Sequence, residues 1–231
     1  MSAARAPSMR DARVGDLFAA PVRVASTPVD ADPASLFDEE RAAVARAVAK
    51  RQREFASGRR CARVLLAELG HPAVAILRNA DRTPAWPEGV VGSISHCDDL
   101  CVVAIAPRSA LAGLGVDVEP DAPLEVPLWR KICTPGELAG VVAATPAAER
   151  GRTVRLLFSA KEAFYKSVYP VVREVLGFHA VEIQVDWATG RFSCAVDASL
   201  RARLPAGRTP EGRFLHRDGW VFTGATLPAP G

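Results

Sequence analysis

No run in this 231-residue chain approaches the ~20 consecutive apolar residues of a bilayer span, and the longest near-apolar stretch covers only residues 100–107. Residues 1–14 hold no hydrophobic segment of a secretory signal, so a cytoplasmic protein off the membrane is expected. The five cysteines, Cys61, Cys97, Cys101, Cys133 and Cys194, are odd in number and contain no Cys-x-x-Cys pair. Reduced thiols are expected, and a zinc site lacks its second ligand pair. Neither sign of charge dominates: 29 basic against 26 acidic residues leave a formal charge of +3, so any anion site must be local. Lysine is scarce, with only Lys50, Lys131, Lys161 and Lys166, and the last two stand five residues apart. There is no Walker-type G-x-x-x-x-G-K, and Gly113-Leu114-Gly115 lacks the rest of a dinucleotide fingerprint. Without a G-x-S-x-G or a nucleophile beside a histidine, acyl-enzyme chemistry is not expected either.

What is present is an ordinary globular balance, 49% apolar and 24% charged, in a length that suits one large domain or two small ones. Residues 1–35, rich in Ala, Pro and Asp, read as an irregular arm. Helical spacing runs over 37–69, interrupted at Gly58 and stopped by Gly70-His71-Pro72; 73–77 reads as a short strand and 79–89 as a loop. Strands are expected at 90–95, 100–106 and 115–119. A helix with a Thr134-Pro135-Gly136-Glu137 capping box is expected over 134–142, and a longer one over 147–168. Strand patterns return at 181–187, 192–196 and 220–226. Helix followed by strands occurs twice, which predicts an α+β chain whose halves meet near 110–117.

Gly115-Val116-Asp117-Val118-Glu119 is the most informative segment, because alternate strand residues share a face. Val116 and Val118 turn inward and the two carboxylates project together, which is unfavourable unless a cation lies between them or water solvates the face. In the long helix Glu162 and Lys166 are four apart and so neighbours, whereas Lys161 lies about 100° round from Glu162. Taken alone that pair is an ordinary surface Glu-Lys contact; together with the acids it supplies both halves of a phosphate-handling site. Ser93-Ile94-Ser95-His96 opens a polar turn whose hydroxyls and imidazole can donate to an anion.

These three ordered motifs, the Ser93 to His96 turn, G-V-D-V-E-P at 115–120 and F-S-A-K-E-A-F-Y-K at 158–166, resemble the 4′-phosphopantetheinyl transferases of the Sfp and EntD type. Arg51-Gln52-Arg53-Glu54-Phe55, Arg59-Arg60-Cys61-Ala62-Arg63 and the R-T-P-A-W-P loop at 82–87 resemble the EntD branch with its actinobacterial members, so the resemblance covers 51–178. The family often has Trp where Phe158 stands, a packing position.

The resemblance implies two pseudosymmetric halves, each a small antiparallel-rich sheet with packed helices, here 1–114 and 115–231, in a monomer. It implies coenzyme A as substrate, Mg²⁺ as cofactor with Mn²⁺ able to substitute, and a serine of an acyl or peptidyl carrier protein as acceptor. Asp117, Glu119 and Glu162 would be the metal carboxylates, with Glu162 also the candidate base. Lys161 and Lys166 would contact the diphosphate; Ser95, His96, Arg51, Arg59 and Arg78 would contact coenzyme A. Two other readings use the same residues: a Mg²⁺-dependent phosphohydrolase or nuclease, and a non-catalytic carrier-binding module.

Overall fold

The computed structural model describes residues 14–230. Its first part runs through β1 (Arg23–Pro28), α1 (Asp38–Val44), α2 (Ala49–Glu68), β2 (Val90–Cys97) and β3 (Leu100–Pro107). β1 and β2 flank β3 in an antiparallel three-stranded sheet. The second part has β4 (Leu111–Pro120), α3 (Val126–Ile132), α4 (Pro135–Glu137) continued by a π-turn at Leu138–Val142, α5 (Arg150–Val172), β5 (Glu182–Asp186), β6 (Arg191–Ala195), α6 (Ala198–Ala202), β7 (Glu211–Arg217) and β8 (Trp220–Pro228). Its five strands form an antiparallel sheet in the order β4-β8-β7-β6-β5. The class is α+β, as the sequence pattern predicts.

Several elements differ from that pattern. The helix expected over 37–69 is two helices, tied together by Arg63, whose guanidinium pairs with the fully buried Glu40 at 2.8 Å. Gly58 does not break α2; without a side chain it lets the helix approach β2, where a Cβ would stand 3.1 Å from Ile94. Residues 73–77 form no strand, because side chains take their backbone groups: Ile76 N donates to Glu40 Oε1 (2.8 Å) and Ile76 O accepts from Arg59 Nε (2.8 Å). The irregular arm expected over 1–35 contains β1, and residues 1–13 lie outside the described residues. Neither α3, α6 nor β7 is anticipated by the sequence pattern. The capping box is present as expected, with Thr134 Oγ1 accepting from Glu137 N and Glu137 Oε2 accepting from Thr134 N. Among the described residues no helix is long and apolar enough to cross a membrane.

Two features position the site. Val91, Leu100, Val102 and Ala104 of the first sheet share one buried cluster with Leu114, Val116, Val118 and Phe222 of the second. Ser93 Oγ of β2 accepts a bond from Val116 N of β4 at 3.1 Å, so the two sheets are also linked by a hydrogen bond. On its other side β4 lies hard against α5: a Cβ on Gly115 would stand 1.9 Å from Ala163 O, inside any van der Waals contact. We expect Gly115→Ala to destabilise the fold by about 3 kcal/mol, the upper range for overpacking a tight interior, measured as a lower urea midpoint.

Candidate active site

The buried Asp117 of β4 is the centre of a polar cluster. Its Oδ1 accepts from Lys166 Nζ (2.7 Å) and Ser95 Oγ (2.7 Å), and its Oδ2 from Ser159 Oγ (2.8 Å). Lys166 also donates to Ser95 Oγ at 3.1 Å and to Val116 O at 3.2 Å, so its three donors are engaged, while its side chain stays 25% exposed, unlike that of the buried Lys161. Two residues on, Glu119 pairs with Arg155 at 2.7 Å. Burial pushes the carboxyl pKa of Glu119 up, and the charge of Asp117 adds to the rise. Glu162 is raised for the same first reason, with Lys166 opposing and Asp117 adding. Asp117 therefore acts on both glutamates, on Glu119 as the shared face of β4 predicts and on Glu162 across from α5.

Arg155, Ser159, Glu162 and Lys166 fall at intervals of four, three and four, so they form one polar stripe down α5 on the side that meets β4. Sequence reading missed Arg155 and Ser159, although this stripe was a signal that could have found them. Lys161 lies off it, and the structure does not bring it to the cluster. Its side chain is 1% exposed and bonded within the second part of the chain, to Glu137 Oε2 at 2.7 Å and to three backbone carbonyls. The diphosphate contact expected of Lys161 does not match this placement, because its donors are already taken.

Across the junction the first part contributes bases. Arg51 donates to Glu54 Oε2 (3.0 Å) and also touches His96 Nε2; burial lowers the His96 pKa, with Glu54 opposing. The Arg59 guanidinium lies over the Phe55 ring at 3.9 Å and the Arg78 guanidinium over the same ring at 4.8 Å. Burial pushes Arg59 down to about 10, and burial with the nearby charges of Arg51 and Arg82 lowers Arg78. Arg59 spends its Nε on Ile76 O, but one Arg78 terminal nitrogen is buried without any hydrogen-bond partner. Three mutually repelling cations with an unspent donor have the chemistry to receive an anion.

Two cavities flank the cluster. One of about 330 Å³ is lined by bases and rings, among them Arg82, Arg108, Trp86, Tyr165, Tyr169 and Lys166. Another, of about 220 Å³, sits beside Glu162 and is walled by Val175, Leu176, Phe178 and Val181.

Among the described residues no three His, Cys, Asp or Glu side chains stand close enough to form a ready-made metal cage. Asp117, Glu119 and Glu162 nonetheless fit Mg²⁺ in kind: it takes oxygen donors, often only one or two carboxylates, and completes its shell with water and substrate phosphate.

Carboxylates and bases side by side suit an enzyme class that handles phosphate, and comparison with known proteins gives the family. Residues 39–106 match the model for the 4′-phosphopantetheinyl transferase N-terminal domain, and residues 113–204 that for the 4′-phosphopantetheinyl transferase superfamily. The chain belongs to this family and is a transferase. It is 39% identical over 213 residues to 4′-phosphopantetheinyl transferase Svp of Streptomyces mobaraensis, covering 89% of this chain and 85% of the relative. To PptT of Mycobacterium tuberculosis it is 37% identical, over 85% of this chain and 88% of that one, and to Npt of Nocardia iowensis 36%, over 78% and 84%.

Proposed function

We propose that the protein transfers the 4′-phosphopantetheine arm of coenzyme A to a serine of an apo acyl or peptidyl carrier protein, with Mg²⁺ and release of 3′,5′-ADP. The observation that carries this reading is the Asp117–Lys166 pair at 2.7 Å, bonded to β2 through Ser95, with Glu119 and Glu162 near enough for the charge of Asp117 to raise their pKa values. Acids for a divalent ion and a base for phosphate oxygen stand together there.

When bound, Mg²⁺ neutralises charge on the diphosphate, and Asp117, Glu119 and Glu162 are the residues that would hold it. Lys166, partly exposed, exchanges its long bond to Val116 O (3.2 Å) for a diphosphate oxygen, which stabilises the charge that grows on the leaving nucleotide. Glu162, its pKa raised by burial, takes the proton from the attacking serine Oγ, a role worth typically ~10²–10⁴-fold. The larger, base-lined cavity accepts the nucleotide end and the apolar slot beside Glu162 the arm, while Arg51, His96 and Arg78, which stand outside the lining of that cavity, take the 3′-phosphate. Arg59 supports that group from beneath, through Phe55 and Ile76. On this reading the enzyme works as a monomer in the cytoplasm, a compartment supported by five cysteines that are all free.

Incubation with coenzyme A, Mg²⁺ and an apo carrier tests the assignment. A gain of ~340 Da on the carrier, the approximate mass of the transferred arm, supports it; cleavage of coenzyme A without that gain means a phosphohydrolase, and binding without chemistry a carrier-binding module. The 3′-phosphate assignment makes its own prediction. Deleting that phosphate from coenzyme A and replacing Arg78 by Ala should each raise the dissociation constant about 10- to 100-fold, as charge-assisted contacts do. The two losses should not add, because both delete one contact, and fully additive losses by calorimetry would separate Arg78 from that phosphate.

A further inference from the structure

We propose that Lys161 is a positioning residue, whose ammonium fastens one wall of the slot beside Glu162 and so governs how firmly the arm of the substrate is held. The inference rests on the transfer reading above. Lys161 and Glu162 are adjacent on α5 and point about 100° apart. Glu162 belongs to the stripe that faces Asp117, while Lys161 turns to the opposite flank of the slot.

There its Nζ donates to Phe178 O (2.8 Å) and Val181 O (3.0 Å), both in residues that line the slot, and to Ile132 O at the end of α3 (2.9 Å). Its charge is met by Glu137 Oε2 at 2.7 Å, both side chains being 1% exposed. Glu137 in turn accepts from Thr134 N and Ile183 N, each at 2.7 Å, so the pair joins α3, α4, the Phe178–Ala180 turn and β5 to α5. An ammonium has three donors, and here four oxygens lie within bonding distance, leaving none for a phosphate.

Apolar packing also holds the wall, Val181 being 3% exposed in the core cluster against which Leu176 and Phe178 pack, as does the ion pair of Glu174 with Arg203 at 2.6 Å, but Lys161 supplies its buried polar anchor. The chain leaves α5 at Arg173, whose backbone is left-handed (φ 53°), and residues 174–177 form no regular element. Val175 is 81% exposed. The turn is further steadied by the ring of Phe158, 5.4 Å from that of Phe178, and by an exposed contact of His179 with Arg130 O.

Glu137→Gln distinguishes a tether from a phosphate contact, since it leaves Lys161 in place and removes only its charge partner. A tether predicts that the KM for coenzyme A rises about tenfold with kcat nearly unchanged. Affinity for 3′,5′-ADP, which carries the nucleotide but no arm, should stay at the wild-type value. A phosphate contact predicts the reverse for coenzyme A, an unchanged or lower KM, because the lysine is freed from a competing carboxylate.

Should Glu137→Gln melt below the assay temperature, the neutral pair Glu137→Gln/Lys161→Met keeps the test open, because replacing both members of a buried ion pair is tolerated better than stranding one. The same split, coenzyme A weakened and 3′,5′-ADP spared, is expected of it. An unchanged KM in folded Glu137→Gln, or equal losses for coenzyme A and 3′,5′-ADP in either variant, overturns the tether. Wild-type protein inert toward coenzyme A and carrier would remove the transfer reading and this proposal with it, whereas active wild type with either overturning result removes the tether alone.

Discussion

Asp117→Asn should lose transfer activity by about 10²–10⁴-fold while remaining folded, the range that follows from several kcal/mol of charge stabilisation at roughly 1.4 kcal/mol per tenfold. The amide keeps the shape of the side chain and one acceptor for Ser95 or Ser159, but it cannot offer a charged oxygen to a divalent ion. Asp117→Ala should be equally inactive and also less stable, by about 3 kcal/mol, because it strands the half-buried ammonium of Lys166 and two buried hydroxyls. Transfer followed by carrier mass across a Mg²⁺ titration, with a urea melt of each variant, separates the two effects. Asn at wild-type rate under saturating Mg²⁺ would dismiss the carboxylate as a metal ligand. From the sequence alone, removing one of a set of like charges is expected to relieve strain in the metal-free protein. The structure reverses that sign, since Lys166 already neutralises Asp117.

Lys166→Glu should be nearly inactive, with a loss on the order of 10³-fold, because it replaces the proposed phosphate donor by a carboxylate facing Asp117 and Glu162. Lys166→Gln should fall between it and wild type. Lys166→Arg should recover part of the loss through charge but not all, as a planar guanidinium cannot reproduce the contacts at Asp117 Oδ1, Ser95 Oγ and Val116 O. Steady-state kinetics with coenzyme A varied checks the order. Equal rates for Glu and wild type would return Lys166 to a structural ion pair.

The parts of the site that follow a local period were legible in the sequence. Asp117 and Glu119 share a face because strands have period two, and Glu162 and Lys166 meet because helices bring i and i+4 together. What decided the rest was distant partners. Lys161 reads like its neighbours until Glu137, twenty-four positions earlier, is found beneath it. Residues 73–77 read as a strand because they are apolar, but Glu40 and Arg59 claim their backbone groups first. β1 has the opposite history: Arg23-Val24-Ala25-Ser26-Thr27-Pro28 has weak strand character of its own, and pairing with the fully apolar β3 imposes it.

The pairing of β4 with β8 also sets when the enzyme can first work. Asp117 stands opposite Thr223 and Val116 opposite Gly224, more than a hundred positions apart along the chain. At a synthesis rate of about 5–20 residues per second, several seconds or more separate the emergence of β4 from that of its neighbour. Once α5 has emerged β4 can pack against it and against β2, but it still lacks β8, its strand partner, so a nascent chain on the ribosome can carry every residue of the candidate site while β4 remains unpaired.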